Sequence, residues 1–129
     1  MKILGLGLSM VDQKKWMKKT GKAGKKFLSK HFSLSEIEYC DQKRNPSTHY
    51  SVRWACKEAF LQALGVEENN SRFMKMIEVL ADSKGIPCVK AGPVVLSLQK
   101  CWKIKQVKAS LSHSDAYSIA QVLVLGETS

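Results

Sequence analysis

The sequence lacks long apolar runs, paired cysteine motifs and the glycine patterns of common nucleotide sites. No apolar stretch approaches the about 20 residues of a membrane span, and the segment after Met1 is too short for a signal peptide. The four cysteines never occur at CxxC spacing, which excludes the usual zinc patterns. We therefore predict buried, reduced thiols in a cytoplasmic protein with no membrane span.

Acidic residues are scarce relative to basic ones. The 129 residues contain 21 Lys and Arg but only 11 Asp and Glu, giving a net charge of +10. This balance predicts an acidic partner. Eight lysines and no carboxylate lie between Gln13 and His31, yet Trp16 and Phe27 are the only aromatic residues there. Such sparse aromatics argue against single-stranded nucleic acid, and a solvated basic face is the alternative to a docking surface.

Hydrophobic periodicity and turn residues predict one α+β domain over residues 1–129. A capping box at Ser33 and Glu36 opens one helix, and Asn45 with Pro46 opens another. The cysteines are expected inside this fold. The predicted order is a strand at 3–8, a helix from 12 interrupted at Gly21 and Gly24, helices at 33–40 and 45–65, strands at 76–81 and 87–89, a helix at 93–101, and a hairpin of strands at 107–113 and 117–125.

The predicted helix around Glu58 is apolar on most of its circumference. Trp54, Ala55 and Leu61 lie at helical spacing from this carboxylate. A carboxylate in apolar surroundings loses hydration, which is costly unless a cation compensates. The partner is either a structural cation or a metal, and the alternative is a partly solvated Glu at the edge of a core helix.

Four segments, taken together, resemble bacterial holo-acyl-carrier-protein synthase, a family of small 4'-phosphopantetheinyl transferases. The resemblance covers nearly the whole chain, and the Lys-Glu helix is its most specific part. The segments are Leu4 to Asp12, Arg53 to Ala59, Ile77 to Val79 with Gly85 to Pro87, and Ser110 to His113 with Tyr117 to Ala120.

The resemblance implies a fold, an activity and partners. The expected fold is the 4'-phosphopantetheinyl transferase fold, assembled as a homotrimer with sites between subunits. The expected reaction moves 4'-phosphopantetheine from coenzyme A to a serine of acyl carrier protein, a step of fatty acid biosynthesis. It is a phosphoryl transfer that needs magnesium, or manganese. Glu58 is implied as metal ligand and as the group that deprotonates the serine.

The same resemblance implies further site residues. Ser9 occupies the position of the family's second metal ligand, and the basic first helix is implied to dock the acidic carrier protein. The implied coenzyme A contacts are Arg53, Lys57, Gly85, Pro87, Lys108, Ser112 and His113. The implied carrier contacts are Lys14, Lys15, Lys18, Lys22 and Lys25.

This chain departs from the family pattern near the expected chemistry. Ser9 stands where the family has Asp, and Gln62 stands where it has a second Lys. The family's Gly-Thr-Gly after the helix is Gly65 followed by Val66-Glu67, and a strand His is Lys108. We expect weaker metal binding, with Lys108 supplying the charge that Gln62 lacks. The alternative is a divergent paralogue that binds coenzyme A or carrier protein with little transferase activity.

Overall fold

A computed structural model of the protein describes residues 1–66 and 71–128, apart from the side chains of Lys22, Ala23 and Ser71. Helices and antiparallel strands are both present, which confirms the α+β class. Glu67 and the Lys22 side chain, both named above, lie outside the described residues. In chain order the elements are β1 (Lys2–Asp12), α1 (Gln13–His31), α2 (Leu34–Asp41), α3 (Pro46–Ala63), α4 (Ser71–Met76), β2 (Ile77–Ala81), β3 (Pro87–Ala91), α5 (Pro93–Leu96), β4 (Trp102–His113) and β5 (Tyr117–Thr128).

The strands form two antiparallel sheets. The larger sheet has the order β1-β5-β4, so the first strand of the chain pairs with the last. In that pairing Ser9 lies opposite Ala120 and Met10 lies opposite Ile119. The smaller sheet is the β2–β3 hairpin. Because β5 is central, β1 is an edge strand of the larger sheet.

Helix α3 is the centre of the core. It packs mainly against β1 and β5, and α1 and α2 also contact it. The part of the helix from Tyr50 to Lys57 is buried without interruption. A helix buried on nearly all sides has no polar face to spare, so its charged residues need partners inside the protein.

The first two helices begin as the sequence predicts. The Asp12 side chain accepts from the Lys15 N–H at the start of α1, and the Ser33–Glu36 capping box is formed at the start of α2. Gly24 interrupts α1 with a φ of 57°, a conformation that favours glycine, whereas Gly21 does not interrupt it. Asn45 precedes α3 but makes no side-chain capping bond, contrary to expectation.

Several predicted elements and environments were wrong. The helix predicted at 93–101 is only the single turn Pro93–Leu96, and the α4 helix was not predicted. Cys40 and Cys56 are buried, but Cys88 and Cys101 are exposed. Burial raises the pKa of the Cys40 thiol to about 11 and that of Cys56 to about 12.

Among the described residues, no helix is both long and apolar enough to cross a membrane.

Two glycines let β1 approach α3 closely. A Cβ atom at Gly5 would overlap the main-chain carbonyl of Ala63, and one at Gly7 would overlap that of Ala59. Gly5, Gly7 and Ser9 alternate along β1 and therefore share one face of the strand. The two missing side chains thus allow the third, Ser9, to reach α3.

We predict that Gly7→Ala strongly destabilises the protein. The added methyl group meets main-chain atoms of α3, which cannot rotate away, so the strand must move off the helix. The expected loss is at least about 3 kcal/mol in the free energy of unfolding, measured by urea denaturation. Gly21→Ala is the matched control, because its Cβ meets open space and should stabilise the helix by about 0.5–1 kcal/mol. Equal stabilities of the two variants would contradict this account.

Candidate active site

Ser9 and Glu58 meet where β1 crosses α3. The Ser9 hydroxyl donates to Glu58 Oε1 at 3.2 Å, and this contact is partly buried. Both side chains are half-buried, so Glu58 does not lie in the apolar interior that its sequence neighbours suggested. The pair presents one hydroxyl oxygen and one carboxylate at a partly solvated position.

Gln62 lies one helical turn after Glu58. Its Oε1 accepts the Leu8 main-chain N–H at 2.6 Å. Leu8 precedes Ser9 on β1, so Gln62 and Glu58 hold adjacent residues of the same edge strand. Gln62 therefore lies beside the site and holds β1 against α3 by this hydrogen bond.

Lys57 precedes Glu58 on α3, points about 100° away from it around the helix, and is fully buried. Its ammonium donates to Glu36 Oε1 at 2.7 Å and to the main-chain carbonyls of His31 and Met74, each at 2.9 Å. Three acceptors match the three N–H groups of a charged lysine. Glu36 is also fully buried, and its Oε2 accepts the Val79 N–H at 3.0 Å.

The buried ion pair corrects the assignment of Lys57 to coenzyme A. With no exposed surface and every donor used inside the protein, Lys57 has no N–H left for a phosphate. Burial lowers the pKa of the Lys57 ammonium, and the charge of Glu36 opposes that shift. Glu36 is therefore a fully buried carboxylate whose charge is compensated by a lysine in this fold.

Arg53, Gly85 and Pro87 are brought together around a second recess. They line a cavity of about 330 Å³ together with Tyr39 from α2 and His49 from α3. The Arg53 guanidinium stacks on Tyr39 at 4.4 Å and donates from Nε to the Val79 carbonyl at 3.0 Å. A second hydrogen bond joins Nη1 to the His49 carbonyl at 3.1 Å. These two hydrogen bonds use two of its five N–H donors, and Arg53 is buried, with 4% of its surface exposed.

His49 also lines this cavity, and the sequence reasoning missed it. Burial lowers the pKa of His49, and the positive charges of Arg53 and Lys43 lower it further, with a smaller effect of His113. The positive charges of Arg53 and Lys43 that act on His49 also favour an anionic ligand in this cavity. The available signal was the spacing of His49 and Arg53, one turn apart on one helix.

The remaining predicted residues are exposed. Lys108, Ser112 and His113 lie on β4, outside the residues that line the Arg53 cavity. The described carrier-docking lysines all lie exposed on α1, which has no acidic residue in its first turn. Lys19, not predicted as a contact, stands over the Trp54 ring at 4.9 Å.

Comparison with known proteins assigns the family. The model of the 4'-phosphopantetheinyl transferase superfamily matches residues 5–122. The chain belongs to this superfamily. A curated relative from Syntrophus aciditrophicus, named holo-[acyl-carrier-protein] synthase, is 37% identical over 122 residues. The match covers 95% of this chain and 95% of the relative. One of the same name from Geobacter sulfurreducens is 32% identical over 95% of this chain and 97% of its own length.

Solved structures of the superfamily share the fold. The holo-[acyl-carrier-protein] synthase of Neisseria meningitidis superposes with a TM-score of 0.84 at 27% identity, over 96% of this chain and 99% of that one. The Helicobacter pylori protein of the same name, solved in complex with coenzyme A, gives a TM-score of 0.77 at 26% identity over 93% and 99% of the two chains. The transferase fold expected from the sequence is therefore confirmed.

We predict that Lys57→Met destabilises the protein by about 3–5 kcal/mol, because it leaves the Glu36 carboxylate buried without its cation. Lys57→Met with Glu36→Gln removes both charges and should recover part of that loss. Urea denaturation of the two variants is the measurement. Should Lys57→Met not fold, recovery of folded protein in the double variant gives the same answer. A double variant no better than the single one would show that the charge pair is not the cause.

Proposed function

We propose that this chain transfers 4'-phosphopantetheine from coenzyme A to a serine of acyl carrier protein. The observation that carries the proposal is the Ser9–Glu58 pair in a chain that belongs to the transferase superfamily over residues 5–122. The bonds that change are the pyrophosphate P–O bond of coenzyme A, which breaks, and the P–O bond to the serine oxygen, which forms. The serine proton needs an acceptor, and adenosine 3',5'-bisphosphate leaves.

Glu58 is the proposed acceptor of the serine proton, directly or through one water. It is half-buried, so an incoming hydroxyl can reach it. Its carboxylate is oriented by the Ser9 hydroxyl and carried by α3, whose neighbouring residue Lys57 is locked in the core. A base on a rigid element keeps a constant distance to the reacting atoms, which is the main requirement for proton transfer.

The donor set fits magnesium. Ser9 and Glu58 offer hard oxygen ligands, which magnesium prefers, and the described residues contain no group of three or more His, Cys, Asp or Glu that could hold a metal. The ion would therefore take most of its ligands from water and from the pyrophosphate. Bound there, it would neutralise phosphate charge, while Ser9 and Glu58 would hold it.

The Arg53 cavity is proposed to hold an anionic part of coenzyme A. Its support is the set of positive charges around His49 together with Gly85 and Pro87 at its rim. Lys108, Ser112 and His113 are proposed to contribute from the exposed face of β4. This cavity and the Ser9–Glu58 pair share no lining residue, which suits a ligand that extends between two subunits.

The exposed lysines of α1 are proposed to dock the acidic carrier protein. Lys14, Lys15, Lys18 and Lys25 are exposed on one helix without a compensating acid in its first turn. Attraction between exposed charges is screened by salt. The expected signature is a KM for the carrier protein that rises with ionic strength. No disulfide joins the cysteines, all of which lie within the described residues, and this agrees with a reducing cytoplasm. Cell fractionation would test that location.

The proposed homotrimer is supported by an apolar face on β1. Leu6, Leu8 and Met10 alternate along the strand and are 56%, 60% and 60% exposed. Ile119, directly opposite Met10 on β5, is 41% exposed. Contiguous exposed apolar residues on one sheet face are typical of subunit interfaces.

A transfer assay tests the reaction. The protein, apo carrier protein, coenzyme A and magnesium should give a carrier whose mass has increased by the phosphopantetheine arm. Glu58→Gln keeps the shape but loses the base, and we expect its transfer rate to fall at least 100-fold. Coenzyme A binding without any transfer at high enzyme concentration would instead identify a binding paralogue.

Ser9→Asp should raise the affinity for magnesium at least tenfold, since it adds a second carboxylate at a position whose hydroxyl now lies 3.2 Å from Glu58 Oε1. Calorimetric titration of the metal, with coenzyme A present, is the measurement. Ser9→Ala is the control and should bind magnesium no better than the natural chain. An unchanged affinity in Ser9→Asp would place the metal elsewhere.

Leu6→Glu should convert the trimer to monomers, because it places charge in the apolar β1 face. Light scattering after gel filtration measures the mass. Leu34→Glu is the matched control, since Leu34 is 77% exposed at the start of α2, away from that face. A natural chain that is already monomeric would refute the assembly.

A further inference from the structure

Three buried polar side chains form a closed ring of hydrogen bonds beneath the start of α1. They belong to Gln13, Ser51 and Ser118, and we call them the Gln13 ring. Gln13 Nε2 donates to Ser118 Oγ at 2.6 Å, and the Ser51 hydroxyl donates to Gln13 Oε1 at 3.1 Å. The two hydroxyl oxygens lie 2.7 Å apart, and Ser118 donates to Ser51 because the Ser51 proton is directed to Gln13. Each side chain thus gives and accepts one hydrogen bond within the ring.

The Gln13 ring joins three elements of the fold. Gln13 is the first residue of α1, Ser51 lies on α3, and Ser118 lies on β5. The Gln13 main-chain N–H also donates to the Ala116 carbonyl, in the turn before β5, at 2.9 Å. Both the main chain and the side chain of Gln13 are therefore fixed. Local sequence patterns do not predict these contacts, because Ser51 and Ser118 lie 38 and 105 residues away in the chain.

The first half of α1 has few other attachments to the core. Gly24 breaks the helix, so the second half does not hold residues 13–23 as a continuous helix would. Within residues 13–21 only Gln13 and Trp16 are buried. Trp16 packs against the Trp54 ring, and apolar contact has no preferred direction, whereas hydrogen bonds require alignment. Gln13 is therefore the residue that fixes the direction of this half-helix.

The direction matters because this half-helix carries proposed docking charges. Lys14 and Lys15 directly follow the first residue of α1, and both are exposed. Ser51 and Glu58 lie seven residues apart on α3, which is about two helical turns. The Gln13 ring thus connects the docking helix to the helix that carries the proposed base. A fixed connection lets a docked carrier present its serine at hydrogen-bond distance from Glu58.

We propose that Gln13 is a positioning residue for carrier docking, an inference that rests on the proposed docking at α1. The ring holds the first half of α1 in the orientation that the carrier protein binds. Gln13 itself does not contact the carrier, since it is 6% exposed and its amide is used within the ring. Without the ring, this half-helix becomes ordered only on docking, and that ordering reduces the affinity. The ring residues do not line the Arg53 cavity, so coenzyme A binding should be unaffected.

Gln13→Leu tests the proposal because it keeps a side chain of similar size and removes the amide. Ser51 and Ser118 stay bonded to each other, and Ser51 keeps the Thr48 carbonyl at 2.9 Å, so no hydroxyl loses its last partner. The Kd for apo carrier protein, measured by calorimetry, should rise about tenfold, the equivalent of one hydrogen bond. The KM for the carrier should rise with it, while kcat and the KM for coenzyme A stay unchanged. Gln42→Leu, at an exposed position after α2, is the matched control and should bind like the natural chain.

A second variant opens the ring without changing α1. Ser118→Ala should raise the same Kd, and combining it with Gln13→Leu should raise it no further, because either change alone opens the ring. Should Gln13→Leu not fold, Ser118→Ala carries the test. If the natural chain binds the carrier and the ring variants bind it equally well, the ring only supports the core and the proposal is wrong. A fall in kcat at unchanged Kd would also overturn it, by placing the effect at Ser9 and Glu58. A natural chain that does not bind the carrier would refute the proposed docking itself, and this inference with it.

Discussion

The ion pair of Lys57 and Glu36 is the interaction on which the rest of the structure depends. Its atoms join α3 to the end of α1, to α2, to α4 and to β2, all inside the protein. Burying two charges is costly, and only complete hydrogen bonding makes it tolerable. The geometry that satisfies Lys57 therefore also fixes where the helices and the hairpin meet. Glu58 follows Lys57 on α3, so the ion pair also fixes the position of the Glu58 main chain.

Much of the secondary structure could be predicted from residues that are close together in the sequence. The capping box at Ser33, the glycine break at Gly24 and the hairpin of β4 and β5 all depend on near neighbours in the chain, and each was predicted. The proposed site at Ser9 and Glu58 came from resemblance to a family, and the structure places the two side chains in contact. What the chain order could not convey was how close β1 comes to α3, which depends on backbone contacts across the core.

The errors came from long-range burial. Lys57 was assigned to phosphate because it adjoins Glu58 in the motif, but adjacent residues on a helix point in different directions, and Lys57 points inward. Its partner Glu36 lies 21 residues away in the chain. The sequence predicted for Glu36 only a role in the capping box of α2. Cys88 lies on β3 and Cys101 lies just before β4, both beside apolar residues in the sequence. Both are nevertheless exposed, because one side of each segment faces solvent. Neither outcome follows from spacing alone.

The bond from Leu8 to Gln62 also bears on how the chain avoids misassembly. An edge strand offers unpaired main-chain groups to any passing strand, and a long apolar one is prone to sheet extension between molecules. β1 is such a strand, with 11 residues and exposed leucines. By occupying the Leu8 N–H near its middle, the Gln62 amide divides this edge into two short stretches. A side chain at the edge of the candidate site thus shortens the run of unpaired main-chain groups with which another strand could pair.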